Sequence, residues 1–165
     1  MAVSVAVCLF LKKCGLENAK IKWPNDILTD REKICGILIE NSIQDEKIQH
    51  SIIGIGVNIN QHEFQAARAT SLCRQTGKEH DLNEVLQILL SELESVYLQL
   101  RAGNNEWLKS MYLQHLYGRN ELLLFESQGE RFEGVIKGID EIGRLVIDRS
   151  TTQSVYAMKE VTFIF

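Results

Sequence analysis

No cysteine pair, histidine cluster or basic tract organises this sequence. The four cysteines, Cys8, Cys14, Cys35 and Cys73, form no CxxC pair and do not group with histidine. That spacing argues against a zinc site or a disulfide framework and for reduced thiols, so a cytoplasmic location is expected. His50, His62, His80 and His115 are scattered, with no metal-ligand spacing, and no metal site is expected. The net charge is −4 and no stretch is strongly basic, which disfavours nucleic acid as the main partner. The apolar run at residues 2–11 is too short to cross a bilayer. Its positive charges, Lys12 and Lys13, follow the run, whereas a signal peptide has them in front. Neither a membrane segment nor an internal repeat nor a low-complexity tract is expected. Proline occurs once, at Pro24.

That proline marks the most informative stretch, Lys20-Ile21-Lys22-Trp23-Pro24-Asn25-Asp26. Ile21 and Trp23 alternate with Lys20 and Lys22, the period of a half-buried strand. Pro24 ends the strand because it has no N–H for a ladder. Asn25 and Asp26 are turn formers that bond their own backbone. Lys22 therefore sits at a strand end beside a rigid corner, a place where a fixed cation can meet a ligand. Trp23 reads as core.

At 165 residues, 45% hydrophobic and 24% charged, the chain suits a globular domain with a small appendage. Residues 1–14 read as a helix that stops at Gly15, apolar almost all round and so covered on more than one side. It has no N-cap residue ahead of it, and it looks like an element from the middle of a longer protein. Three strands follow: residues 19–23 with Ile27 and Leu28 continuing past the corner, residues 33–41, and residues 51–60. They read as an antiparallel meander, and their near-continuous apolar runs predict cover on both faces. Residues 61–80 read as irregular. Asp81 and Glu84 open a helix to about Arg101, followed by a second at about 105–116. The stripe Leu82, Val85, Leu86, Leu89, Leu93, Val96, Tyr97 and Leu100 reads as core. After Gly118, five short strands with glycines at 129, 134, 138 and 143 predict a small barrel. The expected domains are 1–117 and 118–165, and the expected class is α+β, with an antiparallel or mixed sheet and helices followed by a small β-barrel.

Three blocks occur in order: Lys22-Trp23-Pro24-Asn25-Asp26, Gly36-Ile37-Leu38-Ile39-Glu40, and Gly54-Ile55-Gly56-Val57-Asn58-Ile59-Asn60. Together they resemble the catalytic domain of biotin protein ligases, the biotin–[acetyl-CoA-carboxylase] ligases, whose domain is like that of class II aminoacyl-tRNA synthetases and is followed by an SH3-like barrel. The resemblance covers nearly the whole sequence. The glycine- and arginine-rich loop and the ureido-binding residues that family members carry upstream do not occur here, and no DNA-binding winged helix does either. The resemblance implies ATP-dependent attachment of biotin to a lysine of a biotin carboxyl carrier protein domain, through biotinyl-5′-AMP and with Mg2+. Lys22 matches the family's essential lysine and is expected to be catalytic and to meet the biotin carboxylate. Gly36, Ile37 and Leu38 are the expected biotin-pocket residues, and Gly54, Gly56 and Asn58 the expected ATP-site residues. In the family the barrel assists ATP and carrier engagement, with Arg119 and Lys137 as expected contacts.

Two other functions fit the sequence. One is a non-catalytic remnant that binds a partner or its own copies, for which dimerisation or strand exchange is expected because missing strands leave an open sheet edge. The other is a lipoate ligase relative. The isolated chain is expected to bind biotin weakly or not at all.

Overall fold

The structure is a computed structural model that describes residues 1–45, 47–150 and 152–165. The chain divides into two compact units, Met1–His115 and Leu116–Phe165.

The first unit is built on helix α1 (Ala2–Lys13), whose residues Val5, Val7, Phe10 and Leu11 are fully buried. An apolar helix of this kind needs partners on several sides, and α1 has them. It packs on strands β1 (Lys20–Lys22) and β2 (Asp26–Thr29), and on helices α3 (Leu82–Arg101) and α4 (Asn105–His115). It ends as expected, with Lys12 and Lys13 in its last turn and Gly15 at φ 94°, a backbone angle that suits glycine. Met1 provides no side-chain cap.

The sheet order is β1-β2-β3-β4, with β3 at Glu32–Gln44 and β4 at Lys47–Val57, and every pair is antiparallel. One expectation fails here. Ile27 and Leu28 do not continue the first strand; the chain reverses at the proline corner and they pair back onto it, Ile27 opposite Ile21 and Leu28 opposite Lys20. The second and third strands also meet closer than the expected ranges 33–41 and 51–60, since β3 runs to Gln44 and β4 starts at Lys47. Two-sided cover also fails. Leu38 is 65% exposed and Ile52 63%, because both lie on the face shared with Gly36 and Gly56, opposite the face whose corner end is buried at Ile27 and Cys35.

Within the stretch expected to be irregular, α2 (Leu72–Thr76) forms. Ser71 Oγ accepts from the Arg74 N–H at its start, and Gly77 closes it at φ 73°. Helix α3 starts as read: Asp81 Oδ1 accepts from the N–H groups of Asn83 and Glu84 at 2.8 and 3.0 Å. Its apolar stripe is not all core, however. Val85 and Val96 are buried with Glu92, while Leu82, Leu86, Tyr97 and Leu100 are exposed. The neighbours α1 and α4 cover only one arc of the helix.

The second unit holds the five expected strands: β5 (Leu122–Ser127), β6 (Glu130–Ile139), β7 (Leu145–Arg149), β8 (Thr152–Tyr156) and β9 (Thr162–Ile164). They form an antiparallel sheet in the order β8-β7-β6-β5-β9. Phe125, Ile136, Leu145 and Ile147 are its fully buried residues. Gly134 is required by a close approach, since a Cβ there would lie 2.5 Å from Ile147 Cγ2.

Candidate functional site

The corner after β1 creates the site. The Trp23–Pro24 peptide is cis, and Trp23 is buried. Asn25 ties the corner to β3 with two bonds: its carbonyl accepts from the Ile37 N–H at 2.9 Å, and its Nδ2 donates to the Ile37 carbonyl at 3.0 Å. With the corner pinned, the register runs Lys22 opposite Asp26, Asp26 opposite Gly36, and Gly36 opposite Gly56. Residues directly opposite on neighbouring strands share a face, so these four form one row across the sheet. The next row on that face pairs Leu38 with Gly54.

Charge is concentrated at one end of the row. Lys22 is 24% exposed in its side chain, with Nζ 3.9 Å from Asp26 Oδ2. Lys33 Nζ lies 2.6 Å from Asp26 Oδ1. The Lys33 chain also bends over Gly36: a Cβ at Gly36 would lie 3.2 Å from Lys33 Cε and Nζ. One carboxylate thus sits between two ammonium groups, beside the bare backbone of Gly36 and Gly56. Such a surface suits a flat anionic ligand, because glycine lets it approach the backbone and the lysines meet its charge.

The structure brings Lys22, Gly36 and Gly56 together, with Leu38 and Gly54 alongside. Ile37 lies on the opposite face and is 4% exposed, among the core residues. Asn58 lies two residues beyond Gly56, past the end of β4. Its N–H donates to the Ile34 carbonyl at 2.9 Å, its carbonyl accepts from the Leu72 N–H at 3.0 Å, and its Nδ2 donates to the Thr70 carbonyl at 3.0 Å. These bonds leave the amide oxygen Oδ1 as the atom they do not use. Cys35 borders the row; burial pushes its thiol up to about 12, so it stays protonated and unreactive.

Sequence reasoning missed Lys33. The signal that identifies it is the two-residue turn at Asp30 and Arg31, both left-handed at φ 46° and 67°. Such a turn fixes hairpin register and sets Lys33 opposite Leu28, next to an irregularity in the ladder. A separate groove of about 240 Å³ opens between the end of α1 (Lys13, Cys14), His80 and the start of α3 (Asp81, Glu84). None of the row's residues lines it. Burial, and then Lys78, hold His80 below the ordinary histidine range. Among the described residues, no group of three or more His, Cys, Asp or Glu side chains is placed to hold a metal ion. No helix among them is long and apolar enough to cross a membrane.

Residues 2–58 match the biotin/lipoate A/B protein ligase family. Among curated proteins, the bifunctional ligase/repressor BirA of Bacillus subtilis is 29% identical over 153 residues, which is 90% of this chain and 47% of that protein. The biotin–[acetyl-CoA-carboxylase] ligase of Paracoccus denitrificans is 28% identical, over 91% of this chain and 65% of its own length. The chain thus spans about half the length of the BirA relative. Among solved structures, a mutant form of the biotin protein ligase from Aquifex aeolicus in complex with biotin superposes with a TM-score of 0.79, over 99% of this chain and 69% of that one. A structure of the Aquifex aeolicus ligase in complex with biotin and ATP gives 0.75. Sequence identity to both is 24%, so this second likeness is one of fold.

Proposed function

We propose that this chain, a member of the biotin/lipoate A/B protein ligase family through residues 2–58, is the C-terminal part of an ATP-dependent ligase that joins biotin to a carrier-protein lysine. The observation that carries the reading is the row Lys22, Asp26, Gly36 and Gly56 with Lys33 folded over it. In the first step the biotin carboxylate oxygen attacks the α-phosphate of ATP, the bond from that phosphorus to the pyrophosphate oxygen breaks, and biotinyl-5′-AMP forms. In the second step the carrier lysine nitrogen attacks the acyl carbon, AMP leaves, and the amine proton passes to solvent. An anion must approach a polyanion in the first step, so fixed positive charge is what the site has to supply. Lys22 meets the biotin carboxylate, and Lys33 holds charge developing on the phosphate. Asp26 keeps both ammonium groups in place, which is the positioning that makes them effective. Gly36 and Leu38 floor the biotin side, and Gly54, Gly56 and Asn58 the nucleotide side. Ile37 contributes its backbone to the Asn25 clamp; its side chain faces away.

Mg2+ travelling with ATP is held mostly by phosphate and water. Asp26 is the carboxylate of the row and already engages Lys33, so no step is assigned to the ion. The partner in this reading is a biotin carboxyl carrier protein domain. The second unit is the SH3-like domain that helps engage ATP and carrier, with Arg119 and Lys137 at its contact surface. Free cysteines at 8, 14, 35 and 73 fit a reducing cytoplasm. A second reading, a self-associating module without catalysis, is favoured by one observation: β4 is an edge strand with exposed isoleucines at 48, 52 and 53.

The test is pyrophosphate release and biotinyl-adenylate formation by a complete ligase built on this chain. Lys22→Ala and Lys33→Ala should each slow adenylate formation by about a hundredfold, as removal of a charge stabiliser does. Near-wild-type rates in both variants remove the row from the chemistry. Calorimetry of the 165-residue chain with biotin should show weak binding or none, and micromolar affinity would contradict that part.

A further inference from the structure

Two asparagines stand two residues apart just past β4, and their amides are used differently. Asn60 engages both ends of its amide with the backbone of His80: Nδ2 donates to the carbonyl at 2.8 Å, and Oδ1 accepts from the N–H at 3.0 Å. Asn60 is therefore a staple between two segments. Asn58 engages only its donor end, which gives to the Thr70 carbonyl at 3.0 Å. A primary amide has one donor end and one acceptor end, so the carbonyl that takes Nδ2 also decides where Oδ1 points. Whatever fixes Thr70 thus fixes the acceptor that Asn58 offers.

Thr70 is 0% exposed, although it lies outside the helices and the named strands. Its N–H donates to the Lys33 carbonyl at 3.0 Å, and the Lys33 N–H donates to the Arg68 carbonyl at 2.8 Å. Ala69 between them forms a parallel bridge with Lys33. Residues 68–70 therefore lie along the start of β3 where β4 has already ended. A ladder this short is a weak hold by itself. The Thr70 hydroxyl supplies another, accepting from Gln75 Nε2 at 3.1 Å. Gln75 belongs to α2, and α2 is docked on the asparagine segment: the N–H groups of Leu72 and Cys73 donate to the carbonyls of Asn58 and Ile59 at 3.0 and 2.8 Å.

We infer that Thr70, held by Gln75, is a positioning residue: it aims the Asn58 acceptor at the nucleotide and ties that aim to the backbone under Lys33. The nucleotide as ligand rests on the ligase reading; the aim of the amide does not. A Thr70 that served packing alone would change stability and nothing else. A Thr70 that positions Asn58 changes how the nucleotide is held and leaves biotin alone.

One arm of the test follows the side-chain amide protons of the 165-residue chain by NMR. Thr70→Val removes the hydroxyl at nearly constant shape, and Gln75→Leu removes its donor. Each should speed exchange of the Asn58 amide protons at least tenfold, while Thr70→Ser, which keeps the hydroxyl, should match the parent. The Asn60 amide, held by His80, should not change in any of them. The other arm measures adenylate formation by a complete ligase built on this chain. Thr70→Val should raise KM for ATP about fivefold, the size of one net hydrogen bond, and leave KM for biotin within about twofold. Thr70→Ser should restore the ATP value. In an Asn58→Ala background Thr70→Val should add nothing, because residues acting through one group are not additive. Unchanged Asn58 exchange in both variants overturns the inference, and so does equal acceleration of Asn58 and Asn60, which would mean general loosening. An ATP KM that stays at the parent value or rises together with that of biotin also overturns it, as does an additive effect with Asn58→Ala. If Thr70→Val does not fold, Gln75→Leu carries both arms, since its side chain is only half-buried. If the exchange pattern holds but the complete ligase makes no biotinyl-adenylate, the aim of Asn58 stands and the ligase reading falls.

Discussion

Gly36→Ala separates a ligand floor from a packing glycine. Gly36 has no left-handed backbone angle, and the tight contact of a Cβ there is with the flexible end of Lys33, at 3.2 Å, while Asp26 Oδ1 lies at an ordinary 4.0 Å. The lysine must yield by a few tenths of an ångström, and its ammonium moves relative to Asp26, now 2.6 Å away. A partly exposed ion pair is worth at most about 1 kcal/mol. Replacing glycine by alanine where the backbone allows it returns about 0.4–1 kcal/mol by restricting the unfolded chain. The two effects nearly cancel, so folding stability should change by less than about 1 kcal/mol. Gly56→Ala is the control: its Cβ would lie 3.8 Å from the Gly36 carbonyl oxygen, an ordinary contact, and it should be neutral or slightly stabilising. Function should respond differently. A methyl group on the floor lifts a ligand off the backbone, and a loss of about 1.4 kcal/mol in binding is tenfold. Urea unfolding of the chain gives the first quantity; adenylate formation by a complete ligase carrying the substitution gives the second. A stability loss above about 2 kcal/mol would make Gly36 a packing residue. Full activity with the methyl group in place would mean that no ligand lies there, and the reasoning from the row would fail.

Three further outcomes follow from the packing. Thr29 Oγ1 is buried without a hydrogen-bond partner, so Thr29→Val should be neutral or stabilising by about 1 kcal/mol, and a loss measured by urea unfolding would show that the hydroxyl has a partner. The Lys13–Glu92 pair joins an exposed lysine to a buried carboxylate. Lys13→Met strands a buried charge whereas Glu92→Met leaves a solvated one, so in matched thermal melts the first should cost at least about 1 kcal/mol more than the second. Thiol labelling of the native chain should reach Cys14 first, because Cys8, Cys35 and Cys73 are buried and burial holds Cys8 and Cys35 at about 12; rapid labelling of Cys8 or Cys35 without unfolding would contradict the core described above.

What the sequence revealed and what it hid divide along a physical line. Local chemistry was legible. Gly15 ends a helix, Asp81 caps one, and Pro24 breaks a strand, because each acts through its own backbone or the next three residues. Legible too were the short strands of the second unit, set by alternation and glycine turns. Direction was not. Nothing within residues 20–28 distinguishes a strand that continues past Pro24 from one that folds back; the answer lies in Asn25 bonding to Ile37, a contact across the sheet. The same limit hid Lys33, which reaches the row only once the hairpin register is known. Burial was misread for a third reason. Periodicity reports which residues are apolar on one arc, not whether a layer exists to cover them, and on α3 and the β3–β4 hairpin the apolar arc is wider than the layer provided. Pattern and cover disagree on both elements because cover is set by which layers pack across the fold, and no local period records that.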